Sequence, residues 1–294
     1  MTETFSVIAS VIRSVLFAIA AIIQSPAATA QLTPGILAND SYWSDGKAEF
    51  DIFEAQLMRQ GQLRKCELLH ILFRERIDPK TLARVDDPKR SDATSAIRMS
   101  QIWSIPVGLI VEQGSIVVYW RVDSASLAKL MFIGSDSVGN AASKIEAKDA
   151  ALNYTSETYR DGTAVSAIAS PAGAVFYDEL PLRVRTIDWL KPEGEFEVPL
   201  APSLARFKPE KVEFAPARLS WKTAEKSIEV AVKHTMGSDR FVLDREFPFL
   251  LREWQMADGS RLKMKRGLKA DYWNYMKEGD RERALKNPML EHPD

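Results

Sequence analysis

The strongest constraint on the fold is a series of strand-like runs that are separated by turns containing glycine. Dipeptides that end in glycine favour positive φ angles and are typical of tight β-hairpins. Five such turns occur, at Gln60-Gly61, Gln113-Gly114, Asp161-Gly162, Met236-Gly237-Ser238-Asp239 and Asp258-Gly259. They predict hairpins that join residues 48–57 to 63–73, 108–111 to 115–122, 152–159 to 163–168, 228–233 to 240–243, and 250–255 to 260–265.

Alternation within these runs assigns side chains to the two faces of a sheet, because successive strand residues point to opposite sides. In residues 261–265 cations alternate with Leu262 and Met264. The same period places four other residues on one face, namely Ile97, Met99, Gln101 and Trp103. We therefore predict a mainly β fold, a strongly curved antiparallel sheet or half-open barrel with one or two short helices.

Helical signals are few. Residues 178–190 favour a helix, because Asp178 can cap it and Pro181 lies in the tolerated first turn. Three apolar residues share one face of that helix: Leu180, Val184 and Ile187. We expect it to pack against or plug the concave face of the sheet. A second short helix is predicted to begin near Asp280.

Five prolines interrupt the stretch between the two helices: Pro192, Pro199, Pro202, Pro209 and Pro216. This spacing indicates either an extended crossing or a boundary between two lobes within residues 191–216. We adopt one β-rich domain over residues 31–294, and the two-lobe alternative stays open.

Residues 1–30 resemble a secretory signal peptide. A short apolar run follows Arg13, and Ala28-Thr29-Ala30 has the small-residue pattern of a cleavage site, which predicts cleavage before Gln31. A retained membrane anchor is the alternative, but the apolar run is too short for it. We expect a periplasmic or secreted protein without a stable transmembrane anchor. Cys66 is the single cysteine, so no internal disulfide can form.

The usual catalytic and metal-binding motifs are absent from the sequence. His70, His234 and His292 show no metal-ligand spacing, and we interpret His70 as a strand residue and His234 as a solvated turn residue. Residues 134–139 fit neither a nucleophile elbow nor a phosphate loop, so we interpret them as a polar loop after a strand at residues 130–133. No cofactor and no metal are predicted.

Two groups of charged residues suggest alternative functions. Glu49 and Asp51 project from one face of the first strand and could serve glycoside hydrolysis, or be ordinary acids on an exposed face. Residues 252–286 mix a small excess of cations with Trp254, Tyr272, Trp273 and Tyr275. That segment could contact an anionic envelope polymer or lipid headgroup, or be the wet face of a hairpin. The net charge of −1 provides no field for nucleic acid, which we do not expect as a partner.

The stretch Trp43-Ser44-Asp45-Gly46-Lys47-Ala48-Glu49 resembles the opening of a family of exported bacterial proteins without assigned function. The resemblance continues through residues 106–109, 118–121, 251–254 and 272–273. Some members carry the label of septum-formation inhibitor, which implies a nucleotide pyrophosphatase with an N-terminal S-x-S-P-R-R-type loop. This sequence lacks that loop, so the resemblance implies an exported protein and no particular chemistry.

A curved sheet creates an interior that can hold an apolar ligand. We therefore predict a non-enzymatic envelope protein that binds a lipid, a lipidated partner or another apolar group. The predicted lining residues are Trp103, Trp120 and Trp254, with ordinary core packing as the alternative role for each. An envelope hydrolase that uses carboxylates and a protein-interaction or scaffold module remain as alternatives.

Overall fold

The computed structural model describes residues 40–148, 151–187, 189, 191–206 and 213–291. The predicted signal segment, its cleavage site and His292 lie outside these residues. The strands are β1 (Ala48–Arg59), β2 (Gln62–Ile77), β3 (Thr94–Val107), β4 (Ile110–Arg121), β5 (Ser126–Asp136), β6 (Gly139–Lys148), β7 (Ala151–Thr158), β8 (Gly162–Ile168), β9 (Val175–Phe176), β10 (Glu193–Ala201), β11 (Ala215–Thr223), β12 (Ser227–His234), β13 (Gly237–Asp244), β14 (Leu251–Gln255) and β15 (Arg261–Ala270).

All fifteen strands belong to one sheet, in the order β8-β7-β6-β5-β4-β3-β2-β1-β15-β14-β13-β12-β11-β10-β9. Every pairing is antiparallel except that of β9 with β10. Only residues 169–174 join the edge strand β8 to the opposite edge strand β9. Because this connection can span at most about 25 Å, the two edges of the sheet must curl towards each other. The sheet is strongly curved and not closed, which confirms the predicted fold class.

Four of the five predicted hairpins are confirmed, and Gln113-Gly114 is wrong as a turn. Residues 113 and 114 lie inside β4, and the chain reverses at Gly108, where φ is +64°. Gly114 is instead needed because Trp103 from β3 packs on it: an added Cβ would lie 2.3 Å from the Trp103 ring. Gly114 is therefore required for packing against Trp103 and does not mark a turn.

The predicted faces are confirmed. Arg261, Lys263 and Lys265 are exposed, whereas Leu262 and Met264 pack in the core. The four alternating residues of β3 are buried: Ile97, Met99, Gln101 and Trp103. Most of the apolar core lies on this concave face of the sheet.

The predicted plugging helix is present but is shorter and less regular than expected. Residues 177–186 form a 3₁₀ turn, the α-helix Leu180–Arg183 and a second 3₁₀ turn. Leu180, Val184 and Ile187 are buried in the core as predicted. Asp178 does not cap the helix, because its Oδ2 accepts a hydrogen bond from the Leu204 N–H instead. We call residues 177–186 the plug.

Of the remaining predictions, the second helix is confirmed and the polar loop is wrong. The second short helix is confirmed at Asp280–Lys286. Residues 134–139 are not a loop: β5 continues to Asp136, and a tight turn leads directly into β6. In the proline-rich stretch, β10 and β11 are neighbouring antiparallel strands of the sheet. No helix in the described part of the chain is long and apolar enough to cross a membrane.

We predict that Gly114→Ala destabilises the protein by about 1–3 kcal/mol, because the new methyl group must displace the Trp103 ring from a packed position. Urea denaturation measures the change. Gln113→Ala is the matched control, since the neighbouring side chain is exposed. Equal midpoints for the two variants would contradict the packing role of Gly114.

Candidate functional site

The candidate site is a cleft at one end of the curved sheet. Because the strands are antiparallel, the turns β1–β2, β3–β4, β5–β6, β7–β8, β12–β13 and β14–β15 all lie at the same end. We call these turns the cleft rim. The cleft opens between them and the first residues of the plug, and its volume is about 360 Å³.

Aromatic side chains form two walls of the cleft. On one wall the Trp103 and Phe132 rings are nearly parallel, at 17° and with centroids 6.4 Å apart. The Trp103 ring covers Gly114 of the neighbouring strand β4, and the Phe132 ring covers Gly134, two residues further along its own strand β5. On the other wall Trp254 lies 5.7 Å from the Tyr177 ring. The absence of side chains at the two glycines gives the first wall a flat surface.

Polar groups lie at the mouth and floor of the cleft. At the mouth, Arg59 forms an ion pair with Glu112 (3.6 Å), and its guanidinium carbon lies 6.0 Å from the Trp103 ring centre. Gln101 and Leu68 form part of the floor, and Leu68 lies opposite Trp103 on the neighbouring strand. An amphiphile with a polar end at the mouth therefore matches the distribution of groups.

Asp239 fixes the wall formed by Tyr177 and Trp254. Its Oδ2 accepts hydrogen bonds from the Tyr177 hydroxyl (2.5 Å) and the Trp254 indole N–H (2.9 Å). Its Oδ1 accepts from the Ala257 N–H and lies 3.1 Å from Nε2 of His234. His234 is therefore not the solvated turn residue that we predicted, because its side chain is buried against this fully buried carboxylate.

Trp120, the third predicted lining residue, is not among the residues that line the cleft. Its indole is fully buried and donates a 2.6 Å hydrogen bond to Oε2 of Glu179 in the plug. The Arg183 guanidinium lies 4.0 Å from the Trp120 ring centre. Burial lowers the pKa of Arg183, and the Glu179 carboxylate opposes that shift. The structure thus brings Trp103 and Trp254 to the cleft and places Trp120 under the plug.

At the far end of the plug, Arg185 forms a bidentate salt bridge with Glu49, with N–O distances of 2.5 and 2.8 Å. The same guanidinium donates to the Pro248 carbonyl, and the Tyr42 hydroxyl donates to Glu49 at 2.8 Å. Burial, reinforced by the Glu49 charge, raises the pKa of Tyr42 far above its usual range. Glu49 and Asp51 do share one face, but that face is buried rather than exposed.

A row of polar side chains crosses the sheet between this salt bridge and the cleft floor. Asp51, His70 and Gln101 are opposite one another on β1, β2 and β3, and all three are buried. Burial lowers the pKa of His70 to about 4, although Gln101 hydrogen-bonds to it. His70 is therefore a neutral strand histidine, as its sequence position predicted. Among the described residues no cluster of side chains fits a metal ion.

The residues that carry the family resemblance have structural roles here. Asp45 forms an ion pair with Lys269 on β15 (3.5 Å), whose ammonium lies 5.0 Å from the Trp43 ring centre. Burial lowers the pKa of Lys269. Gly46 adopts a φ of +72° in the turn before β1, and Glu49 binds the plug. The motif ties the start of β1 to β15 and to the plug.

The aromatic and basic segment 252–286 divides between two faces. Trp254 faces the cleft, whereas Tyr272 and Trp273 pack outside the sheet near Phe50 (5.9 Å) and Phe73 (6.2 Å). Its cations include several that form ion pairs with acids elsewhere in the fold, such as Arg281 with Glu67. A contact of this segment with an anionic polymer stays a prediction.

Sequence reasoning missed four residues that shape the site: Phe132, Tyr177, Arg185 and Asp239. Their partners are distant in the chain, as in the Tyr177–Asp239 and Arg185–Glu49 contacts. Two signals could have helped. Gly114 and Gly134 interrupt β-branched runs without marking turns, and buried arginine in an apolar helix requires an acidic partner.

We predict that Glu49→Gln lowers the free energy of unfolding by about 3–5 kcal/mol, because it leaves the Arg185 charge buried without its counterion. The double variant Glu49→Leu/Arg185→Met removes both charges and is expected to lose less. Glu229→Gln is the control, since the Glu229–Arg240 pair is exposed and should change stability by less than about 1 kcal/mol. Urea denaturation gives the free energy of unfolding of all three variants. A double variant that is less stable than Glu49→Gln would contradict the role of Glu49 as the counterion of Arg185.

We also predict that the buried His70 makes stability depend on pH. Its folded pKa of about 4 lies below the ordinary value of 6.5, so between these values the unfolded chain binds a proton that the folded chain excludes. The contribution of neutral His70 to the free energy of unfolding is therefore fully present above pH 6.5 and decreases as the pH falls towards 4. The loss at pH 5 is about 2 kcal/mol. Denaturation at pH 7.5 and pH 5 should show this loss in the wild type and a smaller one in His70→Gln; equal losses would refute the assignment.

Comparison with known proteins gives a structural similarity alone. No family model matches the sequence, and no curated protein matches it. A crystal structure of a β-barrel-like protein of a domain of unknown function, DUF1849, from Brucella abortus is similar to this chain, with a TM-score of 0.43 and 9% sequence identity. The similarity covers 75% of this chain and 97% of that chain.

Proposed function

We propose that this chain is an exported envelope protein that binds an apolar or lipid-like ligand in the cleft and does not catalyse a reaction. The observation that carries the proposal is the pair of aromatic walls, Trp103 with Phe132 and Tyr177 with Trp254, around a space of about 360 Å³. This volume falls in the usual range for small-molecule sites, which are lined mainly by apolar and aromatic side chains.

The arrangement of the walls supports binding to a preformed site. Trp254 is held by its hydrogen bond to Asp239 and by stacking on Phe241 (5.0 Å), and Trp103 is held on Gly114. Rings that are already fixed lose little conformational freedom when a ligand binds, so more of the apolar contact energy contributes to affinity.

The acids of the cleft support a binding role over hydrolysis. Glu112 pairs with Arg59, Asp136 accepts a hydrogen bond from the Val138 N–H, and Asp178 accepts one from the Leu204 N–H. Each carboxylate thus has a structural partner. Of the predicted catalytic pair Glu49 and Asp51, Glu49 is held by the bidentate salt bridge to Arg185. The predicted hydrolase therefore has less support than the binding protein.

We predict that the cleft can be blocked by one large side chain. Ala141→Trp fills the space beside Phe132 and should weaken the binding of a dansyl-labelled fatty acid at least about tenfold, because the probe loses its apolar contacts. Ala142→Trp is the matched control, since the next residue on β6 points to the opposite face and is exposed. Fluorescence titration of delipidated protein measures the affinity.

The result decides between the alternatives. Strong binding to the wild type and to Ala142→Trp, with loss in Ala141→Trp, supports the proposal. Equal binding to both variants places the probe elsewhere and overturns it, and so does a wild-type protein that binds no fatty acid and releases no lipid on organic extraction.

A further inference from the structure

The cleft rim carries an unusual set of exposed apolar side chains. Leu109 at the β3–β4 turn is fully exposed, and Tyr159 at the β7–β8 turn is 79% exposed. Val138 at the β5–β6 turn and Met236 at the β12–β13 turn are about half exposed, at 49% and 52%. At the opposite end, the described residues of the hairpin turns include no exposed large apolar side chain.

We propose that the cleft rim docks onto a lipid bilayer, with these side chains inserted between the headgroups. The proposal rests on the proposed function and deepens it, because it names the surface from which the ligand enters the cleft. The mouth of the cleft opens between the same turns, so docking places the entrance of the cleft at the membrane surface.

The spacing of the apolar residues favours a bilayer over a protein partner. The β3–β4, β5–β6 and β7–β8 turns follow one another along the sheet, and each is separated from the next by two strand spacings, or about 10 Å. Leu109 therefore projects separately, whereas Tyr159 lies beside the β5–β6 turn that carries Val138, because its N–H donates to the Asn140 carbonyl. Apolar side chains spread along a row of turns suit the interfacial region of a bilayer, where an apolar group is buried about 5–10 Å deep.

Two further features indicate how the rim would lie on the membrane. Below the tips, Ile102 and Ile133 are exposed on the outer face, on either side of Ser115. They extend the apolar surface on the side of Leu109 and Val138. Tyr159 packs its Cβ and one edge of its ring over Gly139 and is still 79% exposed, and tyrosine is enriched at membrane interfaces.

The charges of the rim are compatible with contact to anionic headgroups. Exposed cations flank the turns: Lys65, Arg160, Lys233 and Arg261. Two acids at the tips have partners within their own turns, since Asp136 accepts from the Val138 N–H and Asp161 accepts from the Thr158 hydroxyl. The cations remain available for phosphate groups, which should increase binding to anionic vesicles at low salt.

The test is flotation with vesicles of three parts phosphatidylethanolamine and one part phosphatidylglycerol. We expect the wild type to float with the vesicles and to retain binding in high salt, because apolar insertion is not screened. Leu109→Asp/Tyr159→Asp should reduce the bound fraction at least about tenfold, since charged groups are costly to insert. Met276→Asp is the control: Met276 is 77% exposed but follows β15, which runs away from the rim.

The outcomes are distinct. Failure of the wild type to float, or equal flotation of the double variant, overturns the docking proposal. Light scattering that shows a wild-type dimer converted to a monomer by the double substitution also overturns it, because the rim would then bind a second copy. Titration with the dansyl-labelled fatty acid in the absence of vesicles tests the proposed function separately, and the double variant should keep wild-type affinity because neither residue lines the cleft.

Discussion

The structure depends on how the concave face of an open, curved sheet is covered. An apolar sheet face must be buried against another element, and here the plug provides that element. The plug brings polar and charged side chains into the core, and the strands supply their partners: Glu49 on β1 binds Arg185, and Asp239 on β13 binds Tyr177. The two strands lie on opposite sides of β15 and β14 in the sheet order. The polar contacts therefore fix both ends of the plug across the curvature.

Such contacts contribute more to position than to stability. Taking the Glu49 and Arg185 charges out of water costs several kcal/mol each, and their mutual attraction repays this only when the geometry is good. The bidentate contact, the Tyr42 hydroxyl and the Pro248 carbonyl supply that geometry. A purely apolar plug could slide along the concave face. A plug with matched charges has one position, and that position determines where the interior is filled and where it stays open.

The open part of the interior is the cleft. Because the plug begins with Tyr177, its first residue is also part of the cleft wall. The element that completes the core therefore also shapes the cleft. The same end of the sheet carries the apolar turn tips, so the mouth of the cleft and the proposed docking surface lie together. The fold, the cleft and the proposed docking surface are consequences of one arrangement of strands and plug.

Alternation, glycine turns and helical spacing are local properties, so the sequence predicted many of the strands, four of five hairpin turns and both short helices, but it did not predict β6, β9, β10 and β11. It also indicated a ligand-sized interior and two of its aromatic residues, Trp103 and Trp254. Three outcomes became visible in the folded protein alone. Gly114 is the residue on which the Trp103 ring packs and not a turn residue, and Glu49 is the buried counterion of Arg185 and not an exposed acid. Trp120 lies under the plug and does not line the cleft. These outcomes depend on residues far apart in the chain, whose approach is set by the curvature of the sheet and not by any local pattern.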